Sequence, residues 1–394
     1  MRILFLNPIG GIGGAERVLL AAIGGVKRAR PDAVVRVVAL ADGPLLAAAA
    51  RLGADVEVVP LPAALSALGD SAGGRLSLLW EAALAGPAAW AFVGKLRAAI
   101  ARFAPDVVHS NGIKTHLLSR FAVPKRVPVV WHLHDFLASR RVAARLLWRA
   151  SGRVRTAIAI SRAVADDAAR VLPGVPVVVV PNAVDLAHFR PGDGDDLDRL
   201  AGLPPAPSGT VRVGLVATYA RWKGQLTLLD AAALLPTLPV RWYVVGGAIY
   251  HTAAQLTDAE LRAAAQQRGV ADRVAFVGFQ PDPVGVYRAL DVVVHASTQP
   301  EPFGLTIAEA MACGRAVVVS AAGGAAELFT HDHDALGVSP GDAPALAAAV
   351  RRLVEDAGLR ARLGASARAT AEARFDVSHY GPRLVAVYEG VHDD

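Results

Sequence analysis

Two α/β domains, each built on a parallel sheet, are predicted for this 394-residue chain from three observations. Short runs rich in Val, Ile and Leu alternate with longer Ala-rich amphipathic stretches, the pattern of parallel strands covered by helices on both faces. The runs fall into two series, one in each half of the chain. Between them, residues 185–210 carry Pro191, Gly192, an acidic string at 193–198, Pro204, Pro205, Pro207 and Gly209, which suit neither the helix nor the strand period. With 53% hydrophobic residues, the chain is also too long for one ordinary core, and a disordered or fibrous protein is excluded.

The first series places strands at 3–7, 34–40, 56–60, 107–110, 127–132, 157–161 and 177–180. The second places them at 211–217, 240–246, 273–277, 292–296 and 316–320, and 342–375 reads as two amphipathic helices followed by a last one at 377–390. No fixed short repeat is visible, which argues against a solenoid. The greasiest stretch, 78–94, is broken by Glu81, Gly86 and Pro87 and falls short of the ~20 apolar residues of a membrane span. A single cysteine, Cys313, cannot form an internal disulfide, and the apolar start is too short for a secretory signal, so a reducing cytoplasm is expected. Cys313 itself sits among apolar helix neighbours and reads as a small buried thiol.

Charge is unevenly divided. Residues 1–200 hold 25 Lys/Arg against 16 Asp/Glu, a net +9, leaving 16 against 19, or −3, for the remainder. Within 95–170 stand 15 basic and 4 acidic residues, interleaved with Trp131, Phe136 and Trp148. Such a surface suits an anionic membrane face or an acidic acceptor, or else simply places Arg on solvated helix faces. No nucleic-acid-binding signature accompanies it, and no nucleic acid partner is expected.

Ligands of open α/β sheets bind beyond the C-terminal strand ends, so site residues are expected in the loops there. After the first strand, Gly10-Gly11-Ile12-Gly13-Gly14-Ala15-Glu16 runs into a helix. Either Gly13 and Gly14 let backbone N–H groups approach a diphosphate, or the loop is only a tight turn. The most informative segment is Gln299-Pro300-Glu301-Pro302-Phe303-Gly304-Leu305-Thr306-Ile307-Ala308-Glu309, where Phe303, Gly304 and Leu305 can offer N–H groups at a helix start. Glu309, inside that helix, could accept from both hydroxyls of a ribose, and Glu301 from hydroxyls of a sugar. In His132-Leu133-His134-Asp135, strand alternation puts both histidines on one side, and His134 reads as a site residue or as a structural one; His109 is a weaker candidate. The strings 193–198 and 331–334 read as linker and surface turn rather than metal ligands.

The Glu301–Glu309 segment resembles the E-x7-E signature of the family 4 retaining glycosyltransferases, also called glycosyltransferase group 1. Other motifs follow the same order: the glycine-rich loop, the histidine-bearing strand ends at 106–109 and 131–135, a PNAVD version of the interdomain PNGVD, Trp222-Lys223-Gly224-Gln225, and Gly323-Gly324 followed by Glu327. The resemblance implies the GT-B fold, two Rossmann-like domains with parallel sheets facing across a central cleft. It assigns 1–185 to an acceptor-side domain, 186–210 to a linker and 211–375 to nucleotide-sugar binding, with 376–394 a helix returning to the first domain. It also implies transfer from a nucleotide-diphosphate sugar, UDP- or GDP-linked, to a glycan, lipid-linked or small-molecule acceptor, with anomeric configuration retained, no metal, and no cofactor beyond the donor. Gly278 and Phe279 would meet the nucleobase, His134 the sugar, and Lys223 and Arg221 the diphosphate. Arg221 is named because Thr218 stands where the family often has arginine.

Breaking the anomeric bond builds negative charge on the leaving oxygen, so cations and helix starts should dominate catalysis. Glu301 as a covalent nucleophile is a minor alternative. The other function classes kept open are a different GT-B enzyme, such as a nucleotide-sugar epimerase or inverting transferase, and a noncatalytic sugar-nucleotide-binding protein. The expected location is cytoplasmic, with peripheral contact at the inner membrane face, and the expected role is polysaccharide biosynthesis.

Overall fold

The computed structural model describes residues 1–62, 86–248 and 254–393. Residues 1–183 with 377–394 form one compact unit and 184–376 a second. In the first, strands and helices alternate: β1 (Arg2–Asn7), α1 (Gly14–Ala29), β2 (Val34–Ala39), α2 (Pro44–Arg51), β3 (Asp55–Val58), α3 (Pro87–Phe103), β4 (Val107–Asn111), α4 (Ile113–Ala122), β5 (Val129–Leu133), α5 (Arg141–Ala150), β6 (Val154–Ala159), α6 (Arg162–Val171) and β7 (Val177–Val179). Among the described residues its seven strands are all parallel, in the order β3-β2-β1-β4-β5-β6-β7. Ile3, Leu4, Phe5 and Leu6 are all buried, as a central strand covered on both faces requires, whereas the edge strands β3 and β7 are largely exposed.

The second unit opens with a short helix, α7 (Leu197–Leu200), and continues β8 (Val211–Val216), α8 (Gln225–Ala233), β9 (Val240–Val245), α9 (Asp258–Gln267), β10 (Val274–Val277), α10 (Val284–Ala289), β11 (Val292–His295), α11 (Leu305–Ala312), β12 (Ala316–Ser320), β13 (Leu336–Val338), α12 (Ala343–Glu355) and α13 (Ala357–Arg374). Its six described strands are also parallel, ordered β10-β9-β8-β11-β12-β13. In both sheets the order reverses beside the first strand, between β1 and β4 and between β8 and β11. Each switch point opens a crevice at the strand ends of its own sheet, where ligands of such sheets bind.

The strand spans read from the sequence match within a few residues, and β13, three residues long and containing Gly337, is an addition. The segment 186–210, expected to be a linker, lies instead on the second unit. Asp198, buried, accepts from Arg241 (2.8 Å), Tyr243 Oη (2.6 Å) and the Ala206 N–H (2.8 Å), and the Asp195 N–H donates to Gly285 O. One buried carboxylate with three partners thereby orders a stretch whose prolines and acidic residues suggest a linker.

The last helix, α14 (Val377–Asp393), packs along α1 in the first unit. The approach is close: a Cβ on Gly381 would meet Gly25 O at 2.1 Å. Tyr380, Leu384 and Tyr388 are buried there. Part of the apolar stretch 78–94 lies outside the described residues; from Pro87 it forms the first turns of α3. No helix among the described residues is long and apolar enough to cross a membrane.

Candidate active site

At the second unit's switch point, two loops are pressed together. The chain leaving β8 turns at Gly224 (φ +81°), where a Cβ would lie 1.8 Å from Ala296 O at the end of β11; only glycine fits. The Thr298 N–H donates to Trp222 O at 2.7 Å, tying the same loops. Their side chains meet as an ion pair: Lys223 Nζ donates to Glu301 Oε1 at 2.9 Å and Oε2 at 2.8 Å. Glu301 Oε2 also accepts from Ser297 Oγ (2.9 Å) and faces His295 Nε2 (3.2 Å). Burial by itself would raise the Glu301 carboxyl, but the Lys223 ammonium and His295 outweigh it and hold the group far below the usual carboxylate range. Glu301 is therefore an acceptor and not a proton donor.

Just beyond, Gly304 (φ +100°) starts α11, whose first N–H groups, at Leu305 and Thr306, have no intrahelical acceptor. The Phe303 ring turns inward onto Phe375 (6.0 Å between centroids), so only its backbone faces the loop. One turn into α11, Glu309 is buried and its Oε2 accepts from Tyr287 Oη at 2.7 Å. Gly278 and Phe279 follow β10, and the Phe279 ring is exposed. Arg221 is not brought to the cluster: its guanidinium pairs with the exposed Glu260 at 2.8 Å, because the single 3-10 turn Arg221–Lys223 sends the two cations in different directions.

The same loop carries a stability prediction. Lys223→Ala leaves the Glu301 carboxylate buried without its cation, a change that costs about 3 kcal/mol. Urea unfolding at neutral pH should show that loss. Because the folded-state pKa of Glu301 is depressed, its contribution is complete above the ordinary carboxylate range and is lost progressively as pH falls below that range toward the depressed folded value, so the gap between variant and parent should narrow in acid.

The first unit's switch point holds a buried polar network. The Gly13 N–H, expected to be a phosphate donor, is taken by Glu16 Oε2 at 3.0 Å, because Glu16 sits at the third helical position and folds back over the α1 start. Gly10 faces backbone rather than open space: a Cβ there would lie 2.2 Å from Asp42. Gly14 remains the first residue of α1. His134, half-buried beyond β5, contacts Asn111 Oδ1 through Nε2 at 2.5 Å. His109 is fully buried, with Tyr388 Oη on Nδ1 (2.8 Å) and His132 on Nε2 (3.2 Å), which makes it a packing residue joined to α14. Burial pushes His134 down to about 4, and burial with the His134 charge pushes His109 down to about 3. Cys313 is buried, and its thiol is pushed up to about 11 by burial. Among the described residues no cluster of three His, Cys, Asp or Glu side chains could hold a metal ion.

His295, Ser297, Tyr287, Asn7 and Asn111 join these clusters without standing in any of the sequence motifs. His295 had a visible signal, a polar residue closing the run Val292-Val293-Val294 at a strand end.

Comparisons with known proteins fall on the same regions. Residues 204–370 match the family model described as glycosyl transferases group 1, and residues 12–188 match that of glycosyltransferase family 4. The chain is 34% identical over 224 residues to the lipopolysaccharide core biosynthesis mannosyltransferase LpcC of Rhizobium leguminosarum bv. viciae, covering 56% of this chain and 61% of that protein. It is 35% identical over 220 residues to a D-inositol 3-phosphate glycosyltransferase of Stackebrandtia nassauensis, covering 54% of this chain and 48% of that one. The matches thus span less than two thirds of these relatives' lengths. Among solved structures, Anabaena Alr3699/HepE in complex with UDP and glucose aligns over 99% of both chains, with a TM-score of 0.81 and 29% identity. WaaG, a glycosyltransferase involved in lipopolysaccharide biosynthesis, shares the fold, with a TM-score of 0.70 and 17% identity over 98% of this chain and 100% of that one.

Proposed function

The chain belongs to the group 1, family 4 glycosyltransferases with the GT-B fold, and on that premise we propose that it moves a hexose from a nucleotide diphosphate, uridine-linked first among candidates, to a hydroxyl of a glycan or lipid-linked acceptor. The observation that carries this reading is the Lys223–Glu301 pair at a topological switch point, one loop away from a helix start and from buried Glu309. Lys223 and the N–H groups of Leu305 and Thr306 neutralise the charge that grows on the leaving diphosphate. Lys223 then shares its ammonium between Glu301 and phosphate oxygens. Glu309 accepts from the ribose hydroxyls, and Phe279 lies against the base.

The strong ionisation of Glu301 bears on the chemical route. A carboxylate of such low basicity is a poor nucleophile, and it orients sugar hydroxyls through its lone pairs instead. Attack from the leaving-group face, with the departing phosphate taking the acceptor's proton, needs no protein nucleophile and no metal, and it retains the anomeric configuration.

The uridine preference rests on the Anabaena protein's complexes with UDP and with UDP-glucose, while the Rhizobium relative's name points to mannose. A thermal-shift screen of UDP- and GDP-sugars, followed by turnover and NMR of the product anomer, tests the proposal. A retained-configuration product supports it. Donor isomerisation without an acceptor points to another enzyme of this fold, and binding without turnover to a noncatalytic binder.

A lipid-linked acceptor fits one surface. The helices α3, α4 and α5 pack in sequence, and they expose Trp90 (56%), Phe121 (41%) and Trp148 (53%), with the Trp90 and Phe121 rings 6.3 Å apart. Lys95, Arg97, Arg120 and Arg145 lie on the same helices, a combination suited to an anionic interface. Vesicles containing anionic lipid should sediment the protein at low salt. Trp90→Ala with Trp148→Ala should reduce the bound fraction several-fold, and zwitterionic vesicles should leave it in solution.

A further inference from the structure

Three polar side chains are almost wholly removed from solvent at the C-terminal edge of the first sheet: Asn7 (0% exposed), Asn111 (1%) and Glu16 (5%). Their hydrogen bonds run in one direction. The Glu16 carboxylate accepts the Gly13 N–H at 3.0 Å and Asn7 Nδ2 at 3.4 Å. Asn7 Nδ2 also donates to Ile9 O at 2.7 Å, which fixes the amide so that its Oδ1 faces Asn111. Asn111 Nδ2 donates to that oxygen at 2.7 Å, and Asn111 Oδ1, which can only accept, lies 2.5 Å from His134 Nε2. A ring nitrogen facing a pure acceptor must carry a proton. The His134 ring is held from its other side by His132, 4.2 Å away between centroids.

We propose that Glu16, Asn7 and Asn111 are positioning residues that lock His134 as its Nε2–H tautomer, so that Nδ1 is presented as an acceptor for a sugar hydroxyl at this strand edge. The polarity originates in a carboxylate, which is an acceptor by nature, and is relayed through two amides. A neutral imidazole with Nδ1 bare binds a hydroxyl donor and disfavours a phosphate oxygen, which has no proton to give. The ligand class is therefore a sugar hydroxyl rather than the diphosphate. Because burial keeps the ring neutral near physiological pH, one tautomer can be defined there. The glycine-rich loop and the histidine share Glu16 as a common anchor. Naming the hydroxyl as a sugar's rests on the transferase reading; the tautomer does not.

The test uses the full chain with 15N-labelled histidine and two-bond 1H–15N correlation spectra, His134 being assigned by comparison with His134→Gln. The expected wild-type pattern is a protonated Nε2 and an unprotonated Nδ1. Asn111→Leu should yield a tautomer mixture and a kcat lower by roughly 10-fold, with the donor KM changed far less. Asn111→Asp keeps an acceptor against the ring, so it should preserve the tautomer and recover part of the lost rate. A wild-type Nδ1–H tautomer overturns the proposal, as does an Asn111→Leu variant with native circular dichroism and unchanged tautomer and kcat. If Asn111→Leu fails to fold, the wild-type spectrum decides alone. An Nε2–H wild type in a protein that turns over no donor leaves the lock standing and counts against the transferase reading.

Discussion

Glu309→Ala is expected to weaken binding of the stabilising nucleotide sugar by about two orders of magnitude, read as Kd by calorimetry. A carboxylate accepting from two hydroxyls makes charge-assisted bonds worth about 1.5–3 kcal/mol each, and a factor of ten corresponds to about 1.4 kcal/mol. Alanine also removes the acceptor that Tyr287 Oη holds at 2.7 Å, in a place where both side chains are buried. A loss of stability is therefore expected together with the loss of affinity. Glu309→Gln separates the two effects. The amide oxygen still accepts from Tyr287, so stability should return nearly to the parent's, whereas the loss of charge should keep affinity lowered by about 10-fold. Equal affinity in both variants and the parent would remove Glu309 from the donor site.

The second large effect is a pH dependence of folding. His109, His116, His132 and His134 all have pKa values lowered, in each case first by burial, His109 to about 3 and His134 to about 4. The sign follows from proton counting. Below the unfolded value near 6.5 the unfolded chain binds protons at these positions, while the folded chain does not until far lower pH. Stability is thus complete above about pH 6.5 and falls as pH drops below it. Each pH unit costs about 1.4 kcal/mol per such histidine, so His109 alone contributes a loss of about 2 kcal/mol between pH 6.5 and 5. Urea titrations of the full chain at pH 7 and pH 5, followed by fluorescence of Trp131, which stacks on His116 in the first unit, should show it. Constant stability over that interval would mean that these imidazoles are not held neutral in the folded chain.

The fold was legible wherever strands are apolar on both faces. Ile3–Leu6 and Val292–Val294 cannot be solvent-facing in any register, and the alternation with helices leaves a parallel sheet as the solution. β13 offered three residues, too few for a period. In the second unit, Lys223, Glu301 and Glu309 were legible from motif order, but their partners were not. Tyr287 meets Glu309 across 22 residues of sequence, and no local pattern encodes that contact. Arg221 is paired elsewhere than its place in the sequence suggests. Two residues from Lys223 it looked like a companion cation, yet direction around a single helical turn decides which carboxylate each reaches. At Gly13 the signal was present in a readable form, since an acidic residue three positions into a helix folds back on the preceding N–H. Asn7 and Asn111 each close a strand flanking the first switch point, a placement that only the strand order brings together.

Co-crystallisation of the full chain with UDP, or with whichever nucleotide raises its melting temperature most, tests the central claim directly. The account predicts the ribose hydroxyls within hydrogen-bond distance of the Glu309 carboxylate, and diphosphate oxygens on Lys223 Nζ and the Leu305 and Thr306 N–H groups. A nucleotide ordered elsewhere on the second unit, with the Lys223–Glu301 pair untouched, would contradict it.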